Sequence, residues 1–157
     1  IPDIVLVILG RDYGCKSKLE AMVKQYQLES NVYFLGYKSN ATAYIANSDL
    51  LAVTSIAEGF GMTILEAYNC GIPVVSFNVP ACNEVIEHKK TGILVNPFNV
   101  DTFSDSIVNL LYDPLERQRM AKNGKNKLLR DFSLEKMVKS QIKNYKSIIE
   151  TFKVTIK

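Results

Sequence analysis

Apolar and polar positions along this chain fall into alternating blocks. Residues Asp3–Leu9 (DIVLVIL) make a nearly continuous apolar, β-branched run closed by Gly10, the pattern of a strand buried on both faces inside a parallel sheet. From Lys16 to Leu28 the apolar residues Leu19, Met22, Val23 and Tyr26 recur at helical spacing, and Val32–Leu35 before Gly36 predicts the next strand. The alternation continues with a short helix over Thr42–Asn47, a strand over Leu50–Thr54 and a helix over Gly61–Cys70 stopped by Gly71. A strand over Pro73–Phe77, a helical turn over Glu84–Glu87 and a last strand over Gly92–Val95 follow. Beyond Val95 only helices are predicted: Val100–Tyr112, Pro114–Arg130 with proline in its first turn, and Leu134–Phe152.

Strands separated by helical stretches imply βαβ units, and hence an α/β fold with a Rossmann-like, doubly wound parallel sheet followed by C-terminal helices. The expected organisation is one domain over residues 1–157, with the sheet core in 1–99 and the helices in 100–157. Ligands of such sheets bind beyond the carboxyl ends of the strands.

Composition narrows the class. The chain has 157 residues with 47% hydrophobic side chains, enough for one core without staples. Its longest apolar run, Ile4–Leu9, is far shorter than a membrane-spanning helix needs. The N-terminus shows no initiator Met, basic region or cleavage site of a secretory leader. Cys15, Cys70 and Cys82 are widely spaced and accompanied only by His88, which fits neither a disulfide framework nor a zinc site and points to a reducing, cytoplasmic setting. Residues 1–113 carry 7 basic and 12 acidic side chains, a balance of −5, whereas 114–157 carry 12 and 4, a balance of +8. The surplus positive charge therefore sits on the late helices, without an aromatic platform, and nucleic acid is not an expected partner.

The stretch that carries candidate chemistry is Ser55-Ile56-Ala57-Glu58-Gly59-Phe60-Gly61-Met62-Thr63-Ile64-Leu65-Glu66-Ala67, between a strand end and a helix. Gly59 and Gly61 remove side chains where the chain turns. Free amides around Gly61–Ile64, at the positive end of a helix dipole, suit a phosphate. Glu58 and Glu66 bracket that position as acceptors, matching hydroxyls on either side of a diphosphate. On spacing alone an alternative stays open, that both are solvated carboxylates near a helix start.

These residues resemble a known family. The pair Glu58 and Glu66 has the form E-x7-E in the setting E-G-F-G-x-x-x-L-E-A, and Gly71-Ile72-Pro73-Val74-Val75, Glu84-Val85-Ile86, Thr91-Gly92-Ile93-Leu94-Val95 and Asp131-Phe132-Ser133 follow in order. Together they resemble the nucleotide-sugar half of a family 4 retaining glycosyltransferase, the C-terminal half of a GT-B fold lacking its first βα unit. The resemblance implies that Glu58, the candidate catalytic residue, hydrogen-bonds the transferred sugar while Gly59, Phe60 and Gly61 approach it through backbone. It further implies that the Met62 and Thr63 amides face the distal phosphate, that Glu66 holds the ribose hydroxyls, and that Tyr37 and Lys38 border the base. The sequence departs from the pattern at Val79-Pro80-Ala81-Cys82-Asn83-Glu84, where the family usually has glycines before the later Glu. The family's diphosphate-neutralising Arg and Lys fall before Ile1; Arg11 is read chiefly as an exposed loop charge.

The implied parent activity is transfer of a sugar, with retention, from a UDP-, GDP- or ADP-sugar to a polysaccharide, glycan or lipid-linked acceptor in cell-envelope biosynthesis. No cofactor or metal is expected, because the chain has no D-x-D pair, and the piece alone is expected to be inactive without the N-terminal domain. The alternative is a non-catalytic module that binds a nucleotide or a partner. His88 reads as a solvated loop residue. The final helix sets apolar residues from Leu134 to Phe152 against Lys136, Lys139, Lys143 and Lys146, which suits either packing on protein or a peripheral position at the inner face of an anionic membrane.

Overall fold

The computed structural model of the chain describes residues 4–155. It divides into two compact units between Tyr44 and Ile45.

The first unit holds β1 (Leu6–Leu9), α1 (Lys16–Gln25) and β2 (Val32–Gly36), with β1 and β2 paired in parallel. The Asp12 carboxylate starts α1 by accepting from the amides of Gly14 (2.8 Å), Cys15 (3.1 Å) and Lys16 (3.2 Å). Those amide bonds hold its carboxyl below the usual range. The expected burial of β1 on both faces is not found: Val5, Leu6 and Val7 are exposed. Among the described residues β1 pairs only with β2, and a parallel strand needs neighbours and covering elements to be buried. The expected start of this strand at Asp3 lies outside the described residues. The apolar stripe of α1 is likewise open, with Leu19 and Met22 exposed and no residue buried.

The short helix α2 (Ala41–Ala46) leads into the second unit, which contains β3 (Leu51–Val53), α3 (Met62–Cys70), β4 (Val74–Phe77), α4 (Cys82–Val85) and β5 (Ile93–Val95). Helices α5 (Val100–Tyr112), α6 (Pro114–Asp131) and α7 (Leu134–Thr155) complete it. The strands are all parallel, in the order β3-β4-β5. The ladders thus group as a two-stranded and a three-stranded sheet, where the sequence predicts one. The predicted turn over Glu84–Glu87 is found earlier, at Cys82–Val85, because Cys82 and Val85 are its buried, core-facing positions.

Local chemistry sets the helix ends. Gly71, at φ 71°, ends α3, and the Ile72 amide folds back onto the Ala67 carbonyl (2.9 Å). Asn99 caps α5 by accepting from Thr102 (3.1 Å), and Asp113 caps α6 by accepting from Glu116 (2.9 Å) just before Pro114. At the other end of α5 the Arg117 guanidinium donates to the Leu110 and Leu111 carbonyls, satisfying groups the helix leaves free.

The core of the second unit lies among Ile64, Ala67 and Tyr68 of α3, Val74 and Val75 of β4, Val85 and Met120, all buried. Tyr68 donates its hydroxyl to Thr91 Oγ1 (2.8 Å), which also accepts from the Glu87 amide (2.9 Å). Burial pushes the Tyr68 hydroxyl up to about 12. Every described side chain of α7 is exposed, so its apolar stripe is not buried among the described residues.

Candidate functional site

The candidate site starts where β3 ends. Val53 is buried, the chain loops through residues 54–61, and α3 begins at Met62. This is the carboxyl end of a parallel strand running into a helix N-terminus, where amides and dipole both favour an anion.

Gly61 is required by the backbone. Its φ of 77° lies in the left-handed region, and a Cβ there would stand 3.2 Å from Ile64 Cδ1. Gly59 differs: its φ lies outside that region, and nothing comes within 4 Å of where a Cβ would be. The fold gives Gly59 no reason to be glycine.

The amides at the start of α3 divide in two. Ile64 and Leu65 donate to the Gly61 carbonyl, at 3.0 and 3.3 Å. The expected free amide at Ile64 is therefore not found, because the first turn tightens onto Gly61 and uses it. Met62 and Thr63 have no recorded amide partner among the described residues, and no side chain caps this helix. Both side chains are exposed. Glu58 and Glu66 are half-buried, on either side of these two amides in the chain.

Phe60 is fixed by a residue far along the sequence. Its ring meets Phe132, at the C-terminal end of α6, edge to face with centroids 6.1 Å apart. Lys127 Nζ lies 5.8 Å from the centre of the Phe132 ring and pairs with Glu87 (3.1 Å) and Asp131 (3.3 Å). Glu87 also takes Lys90 (2.6 Å) and Arg130 (3.2 Å), and its carboxyl is held down at about 2, chiefly by the hydrogen bonds from Lys90 and Lys127. Asp131, gripped by Arg130 and Lys136, is held well below the usual carboxylate range. Nothing local in Asp131-Phe132-Ser133 signals this contact, because its partner Phe60 lies far away along the chain.

Two other predicted elements stand as follows. The loop before α4 carries Ala81 at φ 69°, a conformation that favours glycine. Val85 of α4 reaches the start of α3, with Cγ2 3.8 Å from the Cβ position of Gly61. Tyr37 and Lys38 follow β2 in the first unit; Tyr37 is exposed and carries the Arg11 guanidinium 5.1 Å from its ring centre. His88 accepts from the Leu94 amide through Nδ1 (3.0 Å), which ties a turn together.

Known proteins resemble this chain in sequence and in fold. N-acetyl-alpha-D-glucosaminyl L-malate synthase of Bacillus anthracis is 33% identical over 117 residues, covering 74% of this chain and 31% of the relative. The crystal structure of Anabaena Alr3699/HepE in complex with UDP superposes with a TM-score of 0.87 at 26% identity, covering 94% of this chain and 42% of that one. The C-terminal domain of a glycosyl transferase group 1 family protein (LpcC) from Francisella tularensis superposes with a TM-score of 0.77 at 29% identity, covering 85% and 72%. The chain thus spans about a third of the length of the curated relative it matches. The glycosyl transferases group 1 family matches residues 1–127, and with an α/β architecture like that of GT-B glycosyltransferase C-terminal domains, the chain belongs to that family.

Proposed function

We propose that this chain is the donor-binding part of a retaining glycosyltransferase, and that the loop after β3 and the start of α3 take a nucleoside-diphosphate sugar. The observation that carries this reading is the pair of amides at Met62 and Thr63 that have no partner among the described residues, beside a glycine at position 59 that the fold itself does not need. An anion facing those amides, approached closely by backbone, accounts for both features.

In this reading the Met62 and Thr63 amides donate to the distal phosphate. Glu58 accepts from hydroxyls of the transferred sugar, Glu66 accepts from the ribose hydroxyls, and Gly59, Phe60 and Gly61 approach through backbone. The bond from the sugar's anomeric carbon to the diphosphate oxygen breaks, and the acceptor hydroxyl oxygen bonds that carbon from the same face, which retains configuration. The hydroxyl proton passes to the departing diphosphate. Negative charge grows on the leaving diphosphate, so the amides and the helix dipole act where the transition state needs them. The chain has no D-x-D pair, and the reading gives no part to a metal.

UDP is the favoured nucleotide, supported by the HepE likeness, with GDP and ADP as the tested competitors. The acceptor class is a polysaccharide, glycan or lipid-linked sugar met across a cleft with an N-terminal domain. A cytoplasmic place at the inner face of the membrane fits α7, whose exposed apolar side chains are accompanied by Lys136, Lys139, Lys143 and Lys146.

Calorimetric titration of the chain with UDP-glucose, GDP-mannose and ADP-glucose tests the donor reading. One of them is expected to bind and to lose about tenfold in affinity in Glu66→Gln, the scale of one charge-assisted hydrogen bond. Equal, site-independent binding of all three, or none, counts against it and favours the non-catalytic module. Retention is tested on product formed by an active form of the enzyme, from the anomeric proton coupling of the new linkage.

A further inference from the structure

We propose that Phe132 is a positioning residue for the donor loop, and that the ion cluster around Lys127 sets it. The inference rests on the reading that residues 58–61 meet the donor sugar.

The loop from Glu58 to Gly61 has few anchors of its own. Gly59 lies in open space, and the Phe60 ring is half exposed. Its recorded side-chain partner is Phe132, met edge to face at 6.1 Å. Such a contact has a preferred geometry, because the positive edge of one ring meets the negative face of the other. It therefore fixes where the Phe60 backbone runs, and the Glu58 carboxylate is two residues away.

Phe132 is in turn held. It sits where α6 ends, its amide donating to the Leu128 carbonyl at 2.9 Å. Lys127 stands over its ring and is itself pinned between Glu87, near the end of α4, and Asp131, the neighbour of Phe132. Lys127 is only 11% exposed, so its charge is little screened and its two carboxylates keep it in place. The chain of contacts runs Glu87 to Lys127 to Phe132 to Phe60, and ends on the loop that carries Glu58. Displacing a positioned group by about 1 Å is enough to weaken binding and rate strongly. The cluster thus acts on donor affinity without touching the donor.

The test uses this chain with Phe132→Ala, Phe132→Tyr and Lys127→Met. Amide relaxation without ligand is read at Gly59, Phe60 and Gly61 against Ala67–Cys70 in the body of α3, and UDP-glucose is then titrated. Phe132→Ala is expected to mobilise the three loop amides while leaving α3 unchanged, and to weaken UDP-glucose about fivefold, the factor for one aromatic pair. Phe132→Tyr is expected to restore both, and Lys127→Met to shift them in the same direction by less. Loop amides that stay ordered in Phe132→Ala, or mobility that spreads equally through α3, overturn the proposal. If the unaltered chain binds no UDP-glucose, the donor reading fails, while the relaxation data still decide whether Phe132 clamps the loop.

Discussion

The ring of Tyr68 occupies the space that a side chain at position 124 would need: a Cβ on Gly124 would stand 2.5 Å from Tyr68 Cδ1 and 2.7 Å from Cε1. This is where α6 crosses α3, the helix that carries the candidate site at its other end. Glycine inside a helix costs about 1 kcal/mol relative to alanine. Here that cost is accepted so that a fully buried tyrosine can reach Thr91.

Gly124→Ala is therefore expected to destabilise despite its better helix propensity. The overlap is with a rigid buried ring, and overpacking costs about 1–3 kcal/mol, which outweighs the propensity gain. Urea unfolding should give a lower midpoint with an unchanged slope. A raised midpoint would mean that Tyr68 moves aside freely.

The two glycines of the site loop separate stability from binding. Gly61→Ala places a side chain at φ 77° and 3.2 Å from Ile64, and is expected to cost about 1–2 kcal/mol in thermal unfolding. Gly59→Ala meets open space and is expected to leave the melting temperature within about two degrees, since surface changes of this kind stay near ±0.5 kcal/mol. It is nevertheless expected to weaken nucleotide-sugar binding by about tenfold, because a Cβ then stands where the donor approaches.

Ala81 adopts φ 69° and ψ −46°, near the strained γ-turn conformation. Holding a non-glycine residue in such a region costs about 1–3 kcal/mol, and glycine gives back about 0.5–1 kcal/mol in chain entropy. Ala81→Gly should therefore raise the unfolding free energy by about 1 kcal/mol, read from urea denaturation.

Acid stability should depend on Glu87. Its carboxyl is held at about 2 in the folded chain, chiefly by the Lys90 and Lys127 hydrogen bonds, against about 4.3 for an unperturbed glutamate. A depressed folded value contributes stability that is complete above about pH 5 and is lost as pH falls towards 2. Asp131 is shifted the same way. Melting temperature should fall between pH 5 and pH 2, and Glu87→Gln should flatten that fall. At the alkaline end the Tyr68 hydroxyl, raised to about 12, keeps the folded chain protonated while the unfolded chain ionises near 10, so stability declines above pH 10.

Helix α5 occupies Val100–Tyr112, as its pattern predicts, because Asn99 before it and Asp113-Pro114 after it carry the start and stop signals locally. Gly71 ends α3 for the same reason. Strand β1 reads from its composition as buried, but burial depends on what packs against a strand, and that information is not in its own residues. The start of α4 at Cys82 follows Ala81 at a positive φ of 69°, and alanine gives no sign of it. At the site, the loop glycines and the two glutamates stand out in the sequence. The capture of the Ile64 amide by Gly61 depends on the tightness of one turn, and the Phe60 contact depends on the distant Phe132.

The central claim is that a nucleotide sugar binds at the start of α3, and amide-shift titration of the chain with UDP, GDP, ADP and their sugar conjugates tests it most directly. The account predicts that one nucleotide family shifts the amides of Gly59 to Glu66, with Met62 and Thr63 moving most, and that Glu66→Ala abolishes the response. Shifts that fall elsewhere in the chain, or a response at Gly59 to Glu66 that survives unchanged in Glu66→Ala, would contradict it.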